Sequence, residues 1–436
     1  MVSEVIIAAL VLGLFTVIVI SMIQKKGQSI SCFILIIFNV FFTSWLSTVL
    51  VVFFPDISNR LDGFNKEIIH NVYYMTSFSV IIIFMGVVTY FFFVDNNKIS
   101  LHDQVEVNEA VSVINPLSVL FIIYCLVKFI LFYQQSPLYF VALGDYTQAA
   151  LSRAAIQKGD IFVDIPYIGK VFYFLCFYIT ISTMILVENN KASRARLFFI
   201  VVVSSVQLMF DGQKSHLFLL FMMMGVTYFL LSKSVLKILI FSITFVFTTG
   251  LIYSTMMSGD GNALLRMLDR SIFGQAQGMY YIMQYYKPQL TGVFSDLPFS
   301  HLLGLKELKP DEWIVPYIYS DSGHVINSNT FIVGEMWAYA GELGVYLFSS
   351  FTLFSLLVYL IFFRWLTSLN SIIYWPVSLI FFSTLPINQS LQFILYQKYF
   401  LYVLFFLVAP IYVVGALKYW GASKVGGGGA RSQLLK

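Results

Sequence analysis

Residues 331–363 read FIVGEMWAYAGELGVYLFSSFTLFSLLVYLIFF, an apolar run with two acids near its start, Glu335 and Glu342, and no basic residue. About 20 apolar residues suffice to cross the hydrocarbon core of a bilayer, so this run either begins outside the core or tilts through it. It decides the fold class, because in lipid a spanning segment of this length must pair its own backbone N–H and C=O groups as a helix. Similar runs recur along the whole chain. Together they predict eleven spans, at about 3–23, 30–54, 72–94, 113–133, 168–187, 197–211, 215–232, 236–257, 331–363, 371–388 and 397–417. Composition agrees: 59% of the 436 residues are hydrophobic and 11% are charged, whereas soluble domains carry about 25% charged residues. The expected fold is an all-α polytopic membrane protein with one large loop at 258–330.

Basic residues in the connecting loops set the orientation. Lys25 and Lys26, Lys98, Lys191, Arg194 and Arg196, Lys233 and Lys237, Arg364 and Lys418 alternate onto one side, which the positive-inside rule makes cytoplasmic. The opposite side then holds 55–71, 134–167, the tight turn at 211–215, the 258–330 loop and a turn at 389–396. The first span lacks a basic leader and a small-residue cleavage site, so it is expected to be retained. The chain divides into spans one to eight (1–257, with the outer segment 134–167), the large loop (258–330) and spans nine to eleven (331–420). GGGGARSQLLK at 426–436 reads as a flexible linker or cloning remnant. Cys32, Cys125 and Cys176 all fall in apolar spans and read as buried small hydrophobes. No metal-ligand spacing occurs, no cofactor is implied, and a net charge of +4 points to no nucleic-acid partner.

Polar residues gather on the outer side. Arg153, Lys214, Arg266 and Arg270 all lie near span ends there. Guanidinium groups bind phosphate oxygens in a bidentate fork and ammonium groups bind them as point charges, so this set suits a lipid-linked diphosphate; snorkelling toward headgroups is the competing account. Arg266 and Arg270 share a helix face at i, i+4, and Asp269 between them points elsewhere. His301 and His324, the histidines of the large loop, are candidate general bases; His216 is a third, while His70 and His102 read as surface residues. Asp296, Asp311, Glu312 and Asp321 read as solvated loop acids. Glu335 differs, because a carboxylate entering a membrane helix is costly and marks a functional site by default. Lys128, inside the fourth span, calls for a carboxylate partner that local sequence does not identify. TQAALSRAAIQKG (147–159) reads as a short helix ended by Gly159. From Pro288 to about Asn329 the chain reads as loop. Tyr280, Tyr281, Tyr285, Trp313, Tyr317 and Tyr319 of the large loop are candidates for stacking on sugar rings, with interfacial belts and packing as the alternative.

Three segments carry a family resemblance. DGQKSHLFLLF (211–221) is similar to a polar turn with a basic residue followed by an apolar helix, with Lys214 where Arg is common. LLRMLDRSIFGQAQGMYY (264–281) resembles an arginine-bearing stretch opening a large periplasmic loop. NTFIVGEMWAYAGELGVYLFSS (329–350) resembles a Glu-aromatic-Gly-x-x-Gly pattern, with Glu335, Tyr339, Gly341 and Gly344. With the order of spans, these resemble the bacterial O-antigen polymerases, the Wzy-type oligosaccharide repeat-unit polymerases. The resemblance implies a metal-independent, GT-C-like glycosyltransferase of the bacterial inner membrane with its site facing the periplasm. Its substrates would be undecaprenyl-diphosphate-linked oligosaccharides serving as donor and acceptor, and its partners membrane lipid, a flippase and a chain-length regulator. Arg153, Lys214, Arg266 and Arg270 would hold the diphosphate, and His301, His324 or Glu335 would act as base. A flippase or transporter for lipid-linked oligosaccharide is the reading from another class, and an O-antigen ligase differs only in its acceptor. On the polymerase reading, 258–329 is the lid of a composite site.

Overall fold

Apolar sequence becomes helix throughout. A computed structural model describes residues 2–24, 31–54, 57–61, 63–93, 101–231, 269, 272–274, 276–294, 300–304, 309–318, 329–387 and 390–425, and among them no strand occurs. Five helices are long and apolar enough to cross a membrane, within Lys66–Tyr90, Gln104–Gln135, Ile168–Glu188, Phe331–Leu369 and Lys398–Leu417. Four shorter apolar helices lie at Ser3–Thr16, Phe41–Phe53, Ser215–Leu231 and Ser371–Thr384. The chain is thus a helical membrane protein in its architecture. The expected span at 236–257 lies outside the described residues.

The chain folds as two units. The first comprises 1–97, 246–361 and 385–399. Its helices are α1 (Val2–Gln24), α2 (Ser31–Phe53) and α3 (Lys66–Phe93), then α10 (Gln277–Tyr285), the four-residue α11 (Pro310–Trp313) and α12 (Val315–Ile318), most of α13 (Phe331–Leu369), and α15 (Gln392–Leu395). α3 packs against α1, α2 and α10. Trp45 is fully buried and donates its indole N–H to Ser77 Oγ at 2.9 Å, and the Ser79 and Ser349 hydroxyls meet at 2.7 Å. Such polar pairs satisfy side chains that hydrocarbon would leave unsolvated. Two corrections to the sequence reading belong to this unit. The stretch after Pro288 is not plain loop: it winds into turns at Leu290–Phe294 and Ser300–Leu303 before α11 and α12. Pro310 causes no break, because it occupies the first turn of α11, where its missing N–H costs nothing. The 389–396 segment is likewise not a surface turn, because α15 forms there and Leu391 and Gln392 are buried.

The second unit comprises 98–245, 362–384 and 400–436. It holds α4 (Gln104–Phe132), α5 (Pro137–Ala142), α6 (Tyr146–Lys158), α7 (Ile168–Glu188), α8 (Arg194–Met209), α9 (Lys214–Leu231), the end of α13, α14 (Ser371–Thr384), and most of the last helix, where α16 (Lys398–Val403) passes through a π turn into α17 (Ala409–Val425). α7 is its centre, buried nearly all round between α4, α8, α9 and α14. α6 matches the expected short helix, with Asp145 capping its start and Gly159 (φ 80°) its end. Asn370 opens α14 by accepting from the N–H groups of Ile372 and Ile373 at 3.1 and 3.0 Å, and donates to Glu109 at 3.0 Å.

Lys128 of α4 finds its partner here. It is buried, and its ammonium donates to Asp164 Oδ2 at 3.1 Å while lying 4.9 Å from the centre of the Phe210 ring. Asp164 also accepts from Tyr124 and from the N–H of Ile165. A buried ammonium without its counter-charge is strongly disfavoured. Asp164→Asn is therefore expected to destabilise the protein by about 2 kcal/mol. Lys128→Met combined with Asp164→Leu should restore most of that, and thermal unfolding in detergent reads both.

Candidate functional site

α13 begins as an ordinary helix and then breaks. Ala340 (φ −151°, ψ 25°) and Gly341 (φ 62°, ψ −144°) leave helical geometry in the middle of what is otherwise a 39-residue helix. Positive φ with strongly negative ψ is open to glycine and to few other residues, so Gly341 permits the break. Gly344 permits the close packing beyond it: a Cβ there would collide with the Met336 carbonyl oxygen. A break frees carbonyls that the helix would have used. One is taken from outside, as the Gln289 N–H donates to Ala338 O at 2.8 Å. The segment after Pro288 thus docks where the helix opens.

Glu335 lies just before this break and is 1% exposed. Its Oε2 accepts from the Leu391 N–H at 2.7 Å, the Ser390 hydroxyl at 3.0 Å and the Tyr339 hydroxyl at 3.3 Å. Tyr339 in turn accepts from Gln392 Nε2 at 2.9 Å. Gln392 also donates to Gly292 O, and Tyr396 to Val293 O. One carboxylate oxygen therefore gathers α13 and the 390–392 segment, and the neighbouring amide and phenol tie in 290–294. Irregular backbone at membrane depth is tolerated where protein buries it or where it lines a cavity, and such broken helices recur at ligand sites.

Asp311 corrects the sequence reading, which made it a solvated acid. It is 7% exposed, and its Oδ1 has no hydrogen-bond partner among the described residues. Burial, with the neighbouring charge of Glu312, pushes its carboxyl up to about 6. It lies within electrostatic reach of Glu335. In the same unit, Ile282, Ile314 and Ala338 form a small core covered by Tyr281, Tyr286, Trp313, Ile318 and Trp337.

The other candidates are distributed over both units. In the second unit, Arg153 is exposed on α6, and its Cδ lies 3.4 Å from where a Cβ on Gly212 would stand. The 211–214 turn therefore lies against α6, which brings Arg153 beside the turn that carries Lys214. Ser136 helps fix that turn by donating to Phe210 O at 2.6 Å. Lys214 opens α9; its side chain lies outside the described residues, as do Arg266, Arg270 and His324, and the side chain of His301 in the Ser300–Leu303 turn. His216 packs edge-on against Tyr173 at 4.9 Å. His70 and His102, read as surface residues, have partners: His70 Nδ1 lies 3.3 Å from Glu4 and His102 Nδ1 3.1 Å from Asn189. Glu342 is exposed. Asp269 pairs with Arg60 and accepts from the Ser58 hydroxyl at 2.6 Å. Arg60, which sequence reasoning missed, thereby ties the 57–61 turn to the start of the large loop.

Fold and site together define a helical membrane protein with a buried carboxylate at a broken helix. No family model, curated protein or solved structure matches the chain.

Proposed function

We propose that the protein is an O-antigen-type polymerase, a GT-C-like membrane glycosyltransferase that joins undecaprenyl-diphosphate-linked oligosaccharide repeat units on the periplasmic face of the inner membrane. The observation that carries this reading is Glu335, a buried acid at the break made by the Glu-aromatic-Gly-x-x-Gly pattern. In the proposed step an acceptor hydroxyl attacks the anomeric carbon of the donor glycan. A new glycosidic C–O bond forms, the anomeric C–O bond to the diphosphate breaks, and undecaprenyl diphosphate leaves with the bonding electron pair. All three hydrogen bonds to Glu335 fall on Oε2, so Oε1 is the oxygen assigned to take the acceptor's proton. His301 and His324 are the other bases this reading carries. Arg153 beside the 211–214 turn supports a cationic site for the leaving diphosphate, with Lys214, Arg266 and Arg270 as its further members. Eleven spans complete the proposed architecture.

A flippase for lipid-linked oligosaccharide is the second reading. The observation in its favour is the buried Lys128 of the α4 span, paired with Asp164 of the segment between α6 and α7, since ionisable groups at membrane depth also mark transport paths. Purified protein supplied with lipid-linked repeat units separates the readings. A ladder of lengthening glycans is the expected result. One transfer onto lipid A core would indicate a ligase, and lipid-linked sugar crossing liposomes without any product would sink the enzyme reading.

A further inference from the structure

Stability alone does not account for the buried ion pair of the second unit. Lys128 lies inside the α4 span, where an ionisable group is costly, and apolar residues packed in place of a buried pair are often as stable or more so. The pair is nonetheless tightly specified. Asp164 accepts from the Lys128 ammonium at 3.1 Å, from the Tyr124 hydroxyl and from the Ile165 N–H. Tyr124 is itself fixed by stacking on Phe172, with ring centres 3.9 Å apart and planes 2° from parallel. Three donors thus hold one carboxylate, and the carboxylate holds the flexible lysine stem in one direction.

That direction is toward Phe210. The ammonium lies over its ring, 4.9 Å from the centre. A ring face attracts a cation most strongly where water is excluded, and Phe210 is 3% exposed. Phe210 is also the residue at which α8 ends and the 211–214 turn begins. Its carbonyl accepts from the Ser136 hydroxyl. The Gly212 N–H reaches back to Met209 O at 2.8 Å, and Asp211 Oδ1 accepts from the Gln213 N–H at 3.1 Å. A Cβ on Gly212 would stand 3.2 Å from Pro137 and 3.4 Å from Arg153 Cδ. So short and internally bonded a turn has no slack: where Phe210 goes, the turn against Arg153 goes with it.

Lys128 is buried and Asp164 meets its charge, so it acts through another residue and not on a ligand directly. We infer that Lys128 is a positioning residue for a diphosphate: locked by Asp164, it holds the Phe210 ring, and through that ring the turn that stands beside Arg153 and leads into Lys214. The inference rests on the cationic site of the proposed glycosyltransferase, and it assigns the ion pair to that site in place of a transport path.

The test uses the full-length protein in phosphatidylcholine nanodiscs, with inorganic pyrophosphate titrated calorimetrically as the probe and the glycan ladder read beside it. Phe210→Leu removes the ring and leaves the ion pair. Lys128→Met with Asp164→Leu removes the pair and leaves the ring. Each should weaken pyrophosphate binding about tenfold and speed hydrogen exchange at the Gln213 amide. Phe210→Tyr keeps a ring for the ammonium and should restore binding to within about threefold of wild type. A merely structural role moves the melting temperature and not the affinity. Wild-type affinity in both Phe210→Leu and the double variant overturns the inference and leaves the polymerase standing. Weak binding in the double variant with wild-type affinity in Phe210→Leu means that the lysine acts by charge and not through the ring, and overturns it too. Pyrophosphate binding that both variants lose, from a wild type that makes no ladder, supports the positioning role and overturns the polymerase. A wild type that binds no pyrophosphate overturns the inference, and the ladder alone then decides the polymerase. If the double variant fails to reach the membrane, Phe210→Leu against Phe210→Tyr decides.

Discussion

On the polymerase reading, Glu335→Ala is expected to abolish glycan chain growth and to lower the melting temperature, whereas Glu335→Gln is expected to abolish chain growth with most of the stability kept. The alanine variant leaves the Leu391 N–H, the Ser390 hydroxyl and the Tyr339 hydroxyl without their shared acceptor. A buried donor left unpaired costs about 1–3 kcal/mol, and bonds to a charged acceptor are the stronger kind. The two hydroxyls can rotate to other partners, but the amide cannot, so the loss is expected at about 1–3 kcal/mol. Glutamine keeps an oxygen for the Leu391 N–H, and its amide group can donate to the hydroxyls, so its melting temperature stays close to wild type. What glutamine cannot do is take a proton. Removing a general base costs about 100-fold to 10,000-fold. A ladder assay run beside thermal unfolding in detergent separates the two roles. A wild-type ladder from Glu335→Gln would leave Glu335 with the structural role alone.

Membrane class and helix positions were legible because hydrocarbon imposes a single local rule, and apolar runs obey it. The α6 helix was legible for a local reason too, since alanine-rich sequence between Asp145 and Gly159 carries both of its caps. What escaped depends on partners distant in sequence. Lys128 signals the need for a carboxylate, but nothing in GDIFVDIPY singles out Asp164, which lies 36 residues further on. Asp311 sits among prolines and lysines and reads as solvated, yet it is buried. Arg60 and Asp269 are 209 residues apart. The break in α13 escaped for the same reason. GELG inside a long apolar run reads as continuous helix, and only the 288–294 and 390–392 segments make the broken form favourable. The Glu335 site was half legible: an acid entering a span is a local signal, while its donors at 390 and 391 come from a segment that reads as a surface turn.

Those contacts also fix what the two glycines of the break must do. Gly344→Ala drives a methyl group into the Met336 carbonyl oxygen, a backbone atom that cannot swing aside as a side chain would. Relief requires the two halves of α13 to separate, and overpacking of that kind costs about 1–3 kcal/mol or more. Gly341→Ala meets space, since the nearest atom to its Cβ is Pro288 Cγ at 3.8 Å. Its φ of 62° with ψ of −144° is the obstacle instead, and strain there costs about 1–3 kcal/mol. Alanine also favours helix over glycine by about 1 kcal/mol, so both changes push α13 toward an unbroken helix. An unbroken helix reclaims the Ala338 carbonyl from Gln289 and carries Tyr339 out of register with Gln392. Faster hydrogen exchange is therefore expected at the Gln289 and Leu391 amides, together with loss of chain growth. Gly13→Ala is the control: no atom lies within 4 Å of a Cβ there, and it falls mid-helix in α1, so stability should hold or rise slightly. If all three variants exchange like wild type at 289 and 391, the break is not what holds Glu335 in place. If only the Gly13 variant does, the unwound turn is an obligatory part of the site, and the two glycines of the Glu-aromatic-Gly-x-x-Gly pattern have a mechanical role: one lets the helix open and the other lets its halves close on each other.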